Sequence, residues 1–105
     1  MEIKAVFFDI DGTLVNDSRM VLKSTEKAIH ALKEQGIFVG LATGRGPFFV
    51  RPFIERYDFD FAVTYNGQYI FTKDKILSAS PIDKKNLRLL IEYAKKHRIE
   101  IALGT

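Results

Sequence analysis

Two aspartates near the amino terminus, Asp9 and Asp11, stand two positions apart and are followed by Gly12. In an extended chain this spacing turns both carboxylates to the same side. Close carboxylates repel each other unless a cation relieves them, and oxygen ligands of this kind suit Mg²⁺. With Mg²⁺ bound, Asp9 can attack a phosphate to give an aspartyl-phosphate, and Asp11 can protonate the leaving oxygen and later deprotonate water. We therefore predict Asp9 and Asp11 as catalytic residues and metal ligands.

The same string has two other interpretations. A calcium loop of the EF-hand type needs a glutamate at its twelfth position, where Met20 stands, and it follows a helix rather than a strand. An ordinary Asp-Gly turn is the second alternative and stays open. The apolar strand pattern directly before Asp9 favours the catalytic interpretation over the plain turn.

Two further polar clusters carry groups that bind anions. Thr43 and Gly44 offer a hydroxyl and backbone N–H groups ahead of a predicted helix, a combination that binds phosphate. Arg45 adds a fork of donors for phosphate or for a substrate carboxylate. Asn66 followed by Gly67 predicts a two-residue hairpin turn, a substrate-binding amide, or both.

Strands and helices alternate through the first two thirds of the chain, with polar clusters directly after the strands. The predicted elements are strand 3–8, a helix capped by Ser24 and ending at Gln35, strand 37–42, a helix from Pro47 that Pro52 should kink or shorten, and strand 60–64. This order predicts an α/β, doubly wound parallel sheet, Rossmann-like, with right-handed crossovers. We expect strand order 3-1-2, a first strand covered on both faces, and a ligand site at the carboxyl edge.

The last third of the chain predicts a hairpin, a helix and one more strand. The hairpin covers 68–72 and 76–79, the helix runs from a cap at Asp83 to about His97, and the strand covers 99–103. The sequence stops directly after that strand, so we expect an incomplete domain. Its unclosed sheet edge leaves self-association open.

Composition excludes several classes of protein. The 105 residues are 47% hydrophobic and contain no cysteine, which excludes a disulfide scaffold and a cysteine-based zinc or iron–sulfur site. No apolar run reaches the roughly 18–20 residues of a membrane span, and no signal peptide is evident, so we expect a cytoplasmic protein with no membrane partner. The net charge is only +3, and the basic stretch 95–98 fits a solvated helix end better than a nucleic-acid site.

Three stretches resemble one known family. VFFDIDGTL at 6–14 resembles the first motif of the haloacid dehalogenase superfamily of phosphatases, and LATGR at 41–45 resembles its second. VTYNGQYIF at 63–71 is similar to the Cof-like branch, which carries an α/β cap after the third core strand. The resemblance implies that 1–80 is the N-terminal part of the Rossmann-like core and that 81–105 is the first helix and strand of the cap.

The resemblance also implies a role for each candidate residue. Asp9 is the nucleophile and a Mg²⁺ ligand, and Asp11 is the general acid and base that binds Mg²⁺ through its backbone carbonyl. Thr43 and the N–H of Gly44 hold the phosphate, while Arg45 and Asn66 face the leaving group and the cap. The implied function is a Mg²⁺-dependent phosphatase, a hydrolase of small phosphorylated metabolites such as sugar phosphates.

Two motifs of that family have no match in this chain. They are a phosphate-stabilising Lys or Arg and a second acidic cluster, and nothing in 82–105 resembles either. We therefore expect the chain alone to be a poor enzyme. A non-catalytic phosphate- or nucleotide-binding module, and a fragment completed by another chain, are the alternatives.

Overall fold

The computed structural model describes residues 2–18 and 20–104 of the chain. This part contains five strands and three α-helices. The strands are β1 Ala5–Phe8, β2 Phe38–Ala42, β3 Phe61–Thr64, β4 Tyr69–Thr72 and β5 Ile76–Ala79. The helices are α1 Lys23–Glu34, α2 Pro47–Tyr57 and α3 Lys84–His97, and a short 3₁₀ turn covers Tyr65–Gly67. This architecture confirms the predicted α/β, Rossmann-like class.

The five strands form one sheet in the order β1-β2-β3-β4-β5. The first three strands are parallel, with Phe8 opposite Leu41 and Leu41 opposite Ala62, while β4 and β5 add an antiparallel hairpin. The predicted order 3-1-2 is therefore wrong, because β2 lies between β1 and β3, and β1 is the edge strand of the sheet. The local pattern specifies strands and crossovers but not the direction in which each crossover steps along the sheet.

The two faces of the sheet are covered to different extents. On one face Val39, Leu41 and Ala62 are fully buried in the cluster that also holds Ile29 of α1 and Val50 of α2. Burying one such side chain contributes about 1.5–3 kcal/mol. The hydrophobic core thus lies between this face of the sheet and the two helices.

The opposite face of the sheet exposes large aromatic side chains. Phe7 is 56% exposed and Phe38 is 61% exposed, so the expectation that the first strand is covered on both faces is wrong. Phe7, Gly40 and Phe61 lie in one row across three strands, and the rings of Phe7 and Phe61 meet edge to face at 4.8 Å. A Cβ at Gly40 would overlap the Phe61 ring, so glycine permits this contact.

The ends of α1 and α2 differ in detail from the sequence prediction. Helix α1 starts at Lys23 with Leu22 as its N-cap and no capping side chain, so Ser24, the predicted cap, lies inside the first turn. Helix α2 starts at Pro47 as predicted and continues through Pro52 to Tyr57. Pro52 does not shorten the helix, although it has no N–H to donate to the carbonyl of Phe48.

Helix α3 is capped as predicted, but no strand follows it in residues 98–104. The Asp83 side chain accepts a hydrogen bond from the Lys85 N–H at 3.0 Å. Residues 99–103 form no ladder with the described strands, and Ile99 and Ile101 remain 55% and 47% exposed. The predicted strand is wrong because an apolar alternation becomes a strand only beside a partner edge. Among the described residues, no helix is long and apolar enough to cross a membrane.

Candidate active site

Backbone hydrogen bonds join the loops that follow β2 and β3. The N–H of Thr43 donates to the carbonyl of Val63 at 2.9 Å, and the N–H of Asn66 donates to the carbonyl of Thr43 at 3.1 Å. The N–H of Tyr65 donates to the carbonyl of Arg45 at 3.0 Å. Because β2 and β3 are parallel, these loops leave the sheet at the same edge, and the hydrogen bonds fix one against the other.

The loop after β1 presents both aspartates on its outer side. Ile10 is fully buried, whereas Asp9 and Asp11 on either side of it are exposed. The loop turns sharply, with Gly12 at φ +79° and the Leu14 N–H donating to the Asp9 carbonyl at 3.0 Å. The positive φ favours glycine at position 12. Both aspartates are therefore open to solvent on either side of a buried residue.

An ion pair connects the loop after β1 with the loop after β2. The Arg45 guanidinium donates from Nε to Asp11 Oδ2 at 2.8 Å and from Nη2 to Asp11 Oδ1 at 3.0 Å. The hydrogen bond to Asp11 raises the pKa of Arg45 above its ordinary value. Arg45 and Asp11 side chains are 43% and 54% exposed, so the pair stabilises the fold little. Its consequence is geometric, because it brings two of the predicted site residues together.

Thr43 and Gly44 lead directly into the amino terminus of α2. Thr43 is 7% exposed, and its Oγ1 accepts a hydrogen bond from the Arg45 N–H at 3.1 Å. Gly46 is the N-cap of α2, an 11-residue helix. The first N–H groups of a helix have no intrahelical partner and favour an anion. The arrangement can therefore hold a phosphate, which is the role predicted for Thr43 and Gly44.

Asn66 occupies a longer connection than its sequence predicts. Thr64 pairs with Tyr69, so four residues, 65–68, join β3 to β4, and the two-residue hairpin turn is wrong. Asn66 has φ 55°, and its side-chain oxygen lies 3.1 Å from the position that a Cβ on Gly44 would occupy. The amide is thus beside the turn at Thr43 and Gly44. Asparagine adopts a backbone conformation with positive φ more readily than most other residues.

The donor set at this edge can be compared with what Mg²⁺ requires. Mg²⁺ prefers six oxygens and is usually bound by one or two carboxylates together with water and substrate phosphate. Asp9 and Asp11 supply carboxylate and carbonyl oxygens at one exposed turn, and Asp9 Oδ1 accepts a hydrogen bond from the Ile10 N–H at 2.9 Å. No cluster of three or more His, Cys, Asp or Glu occurs in 2–18 and 20–104. The residues present therefore fit two protein ligands of a hydrated Mg²⁺.

The sequence analysis missed one aromatic residue at the site. The guanidinium carbon of Arg45 lies 4.1 Å from the centre of the Phe49 ring. The available signal was the spacing of four residues between Arg45 and Phe49 across the start of α2, which is about one helical turn. Because Arg45 precedes the helix, this spacing alone does not predict the contact.

Comparison with known proteins gives a family and a fold. Residues 6–105 match the haloacid dehalogenase-like hydrolase family. YkrA of Bacillus subtilis is 34% identical over 94 residues, which cover 90% of this chain and 37% of YkrA. A hypothetical protein from Geobacillus kaustophilus HTA426 superposes with a TM-score of 0.86 at 37% identity, covering 92% of this chain and 38% of that one.

A sugar phosphatase of HAD subclass IIB is also similar in structure. Its TM-score is 0.75 at 31% identity, and the match covers 90% of this chain and 38% of that phosphatase. The chain thus spans less than two fifths of each of these three proteins. The matched portion includes the sheet edge at which the candidate residues meet.

Proposed function

The chain belongs to the haloacid dehalogenase-like hydrolases, and from that premise we propose that it carries the nucleophile and part of the phosphate site of a phosphoric monoester hydrolase. The observation that supports this most is the meeting of three loops at one sheet edge, joined by the Arg45–Asp11 ion pair. Similarity to a sugar phosphatase supports small phosphorylated metabolites, such as sugar phosphates, as the substrate class.

In the proposed reaction, Asp9 and Asp11 divide the chemistry between them. A carboxylate oxygen of Asp9 attacks the phosphorus and the bond from phosphorus to the leaving oxygen breaks. Asp11, protonated in the substrate complex and with one oxygen released from Arg45, gives its proton to the leaving oxygen. Water then attacks the phosphorus of the aspartyl-phosphate while Asp11 takes the proton of the water. The Asp9 carboxylate leaves, and free phosphate and the starting protonation states are restored.

The remaining candidate residues would hold the substrate. The Thr43 hydroxyl and the N–H of Gly44 lie ahead of α2, where phosphate oxygens are favoured. Arg45 and Asn66 lie on the leaving-group side in this proposal. The Asp9 carboxylate and the Asp11 carbonyl would hold Mg²⁺, which when bound offsets the negative charge of the phosphate.

The division of the chain is part of the proposal. Residues 1–80 would be the N-terminal part of the hydrolase core, and 81–105 the start of a Cof-like cap. The cytoplasmic location and self-association through the open sheet edge stay predictions. So does low activity of this chain alone, because stabilising a phosphoryl transition state takes several positive groups together.

Trapping of the phosphorylated intermediate tests the proposal. The chain is incubated with Mg²⁺ and a small phosphate donor such as acetyl phosphate, quenched in acid and analysed by peptide mass spectrometry. We expect a phosphoryl group on Asp9, none in Asp9→Asn, and steady-state turnover below about 1 s⁻¹. An unmodified wild-type chain, or a modified Asp9→Asn chain, would contradict the proposal and favour a non-catalytic phosphate-binding module.

A further inference from the structure

The Phe49 ring contacts the guanidinium of Arg45, the residue that forms an ion pair with Asp11. The guanidinium carbon of Arg45 lies 4.1 Å from the centre of the ring, well within the roughly 6 Å over which a cation and an aromatic face attract. The same guanidinium donates two parallel hydrogen bonds to the Asp11 carboxylate. Ring, guanidinium and carboxylate therefore form one contact chain from α2 to the loop after β1.

We propose that Phe49 is a positioning residue for Asp11, acting through Arg45; this inference rests on the proposed function. A guanidinium is planar, and its donors make a fork of fixed shape. A ring beneath that plane restricts how the fork can turn. When the guanidinium cannot rotate, its Nε and Nη2 donors stay opposite the two carboxylate oxygens of Asp11. The orientation of that carboxylate is thereby restricted.

The backbone of Arg45 is fixed by hydrogen bonds, so the contacts with Phe49 and Asp11 depend on the conformation of its side chain. The Arg45 N–H donates to Thr43 Oγ1 at 3.1 Å, and its carbonyl accepts from the Tyr65 N–H at 3.0 Å. An arginine side chain has four rotatable bonds beyond this fixed backbone. Besides Asp11, the Phe49 ring contacts the guanidinium at the end of this side chain and so limits its rotation.

The Phe49 ring is itself anchored to the core. It lies 5.8 Å from the ring of Phe53, and Phe53 stacks on Tyr57 at 6.4 Å along the same face of α2. Tyr57 is 8% exposed and belongs to the hydrophobic core. Phe48, the preceding residue, is 89% exposed and has no place in this aromatic row. It is therefore a matched control on the same helical turn.

The test follows the Arg45 side chain by NMR in the 105-residue chain, with no phosphate ester present. The variants are Phe49→Leu, the conservative Phe49→Tyr and the control Phe48→Leu. In Phe49→Leu we expect the Arg45 Nε–H to lose its upfield ring-current shift and to exchange with water about two- to fivefold faster, the factor for losing an exposed cation–π contact. The side-chain carboxyl ¹³C resonance of Asp11 should move in the same variant.

Phe49→Tyr should retain the wild-type values of both resonances, and Phe48→Leu should leave both unchanged. Equal behaviour of Phe49→Leu and Phe48→Leu would overturn the inference. So would a change at Arg45 that leaves the Asp11 resonance in place, because Phe49 would then support Arg45 without positioning the carboxylate. Since no phosphoryl transfer is measured, failure here is distinguishable from failure of the trapping experiment on Asp9.

Discussion

The chain contains two Asp-x-Asp pairs, Asp9 with Asp11 and Asp58 with Asp60, and they lie at opposite edges of the sheet. The first pair follows β1, whereas the second precedes β3. Because β1, β2 and β3 are parallel, the first pair is at the carboxyl edge and the second at the amino edge. Spacing and residue type are the same, so any difference in role comes from position and surroundings.

The second pair is bound by cations and by the backbone of the protein. Lys33 of α1 donates to Asp58 Oδ2 at 2.9 Å and to Asp60 Oδ1 at 3.3 Å, and Lys73 also pairs with Asp58. Asp60 Oδ2 accepts from the N–H of Val39 at 2.8 Å. This network fastens the end of α1 and the β4–β5 turn to the start of β3. Its carboxylates are occupied by structural contacts.

The first pair has a different environment. Arg45 pairs with Asp11, but among the described residues no Lys or Arg forms an ion pair with Asp9. Asp9 and Asp11 flank buried Ile10 on an exposed turn. An Asp-x-Asp spacing alone therefore does not indicate a catalytic site. The two pairs differ in the strand end that they occupy and in whether both carboxylates, or only one, form ion pairs with described cations.

The largest expected effect comes from exchanging a carboxylate for an amide in each pair. Asp9→Asn should reduce phosphoryl transfer at least about 100-fold, or ~2.7 kcal/mol of barrier, since an amide is a far poorer nucleophile. Asp60→Asn, the matched control at the opposite edge, should retain the wild-type rate. Both are measured as the initial rate of phosphorylation by acetyl phosphate with Mg²⁺. Equal losses in the two variants would remove the functional contrast between the edges.

A smaller effect is expected on stability at the amino edge. Val39 is fully buried, so Asp60→Ala leaves its N–H without the side-chain acceptor and should lower the free energy of unfolding by about 1–3 kcal/mol. Asp60→Asn keeps an acceptor oxygen and should cost less than about 1 kcal/mol. Urea denaturation measures both. A loss in Asp60→Asn as large as that in Asp60→Ala would show that the charge, not the hydrogen bond, stabilises this edge.

Much of the fold was predictable because its signals are local. The apolar runs, Pro47 at the start of α2 and the cap at Asp83 each specify an element within a few residues. The strand order was not predictable in this way, since it depends on the direction of crossovers. The same holds for residues 99–103, whose strand-like pattern has no partner edge among the described residues.

The candidate site was predictable as a location but not as a set of contacts. Each motif follows a parallel strand, and this places all of them at one edge. A position after a strand does not indicate which side chains contact each other there. The pairing of Arg45 with Asp11 and the Phe49 ring beneath it depend on side-chain directions that residue spacing does not encode, because Arg45 lies outside the helix that carries Phe49.

The smallest expected effect is at Asp58, the most exposed carboxylate of the structural pair. Asp58 has φ 56° and is 57% exposed. Asparagine tolerates that backbone conformation, so Asp58→Asn removes the ion pairs with Lys33 and Lys73 while leaving the turn intact. The free energy of unfolding should fall by less than about 1 kcal/mol. The difference should shrink further in 1 M NaCl, where the screening length is about 3 Å. Urea titrations of wild type and variant at low and high salt measure this, with Asp9→Asn as the matched variant at the other edge. A loss that persists undiminished in 1 M salt would mean that Asp58 stabilises the turn by its geometry rather than its charge. The contrast between a pair with ion pairs at both carboxylates and a pair in which Asp9 has none among the described residues would then rest on Asp60 alone.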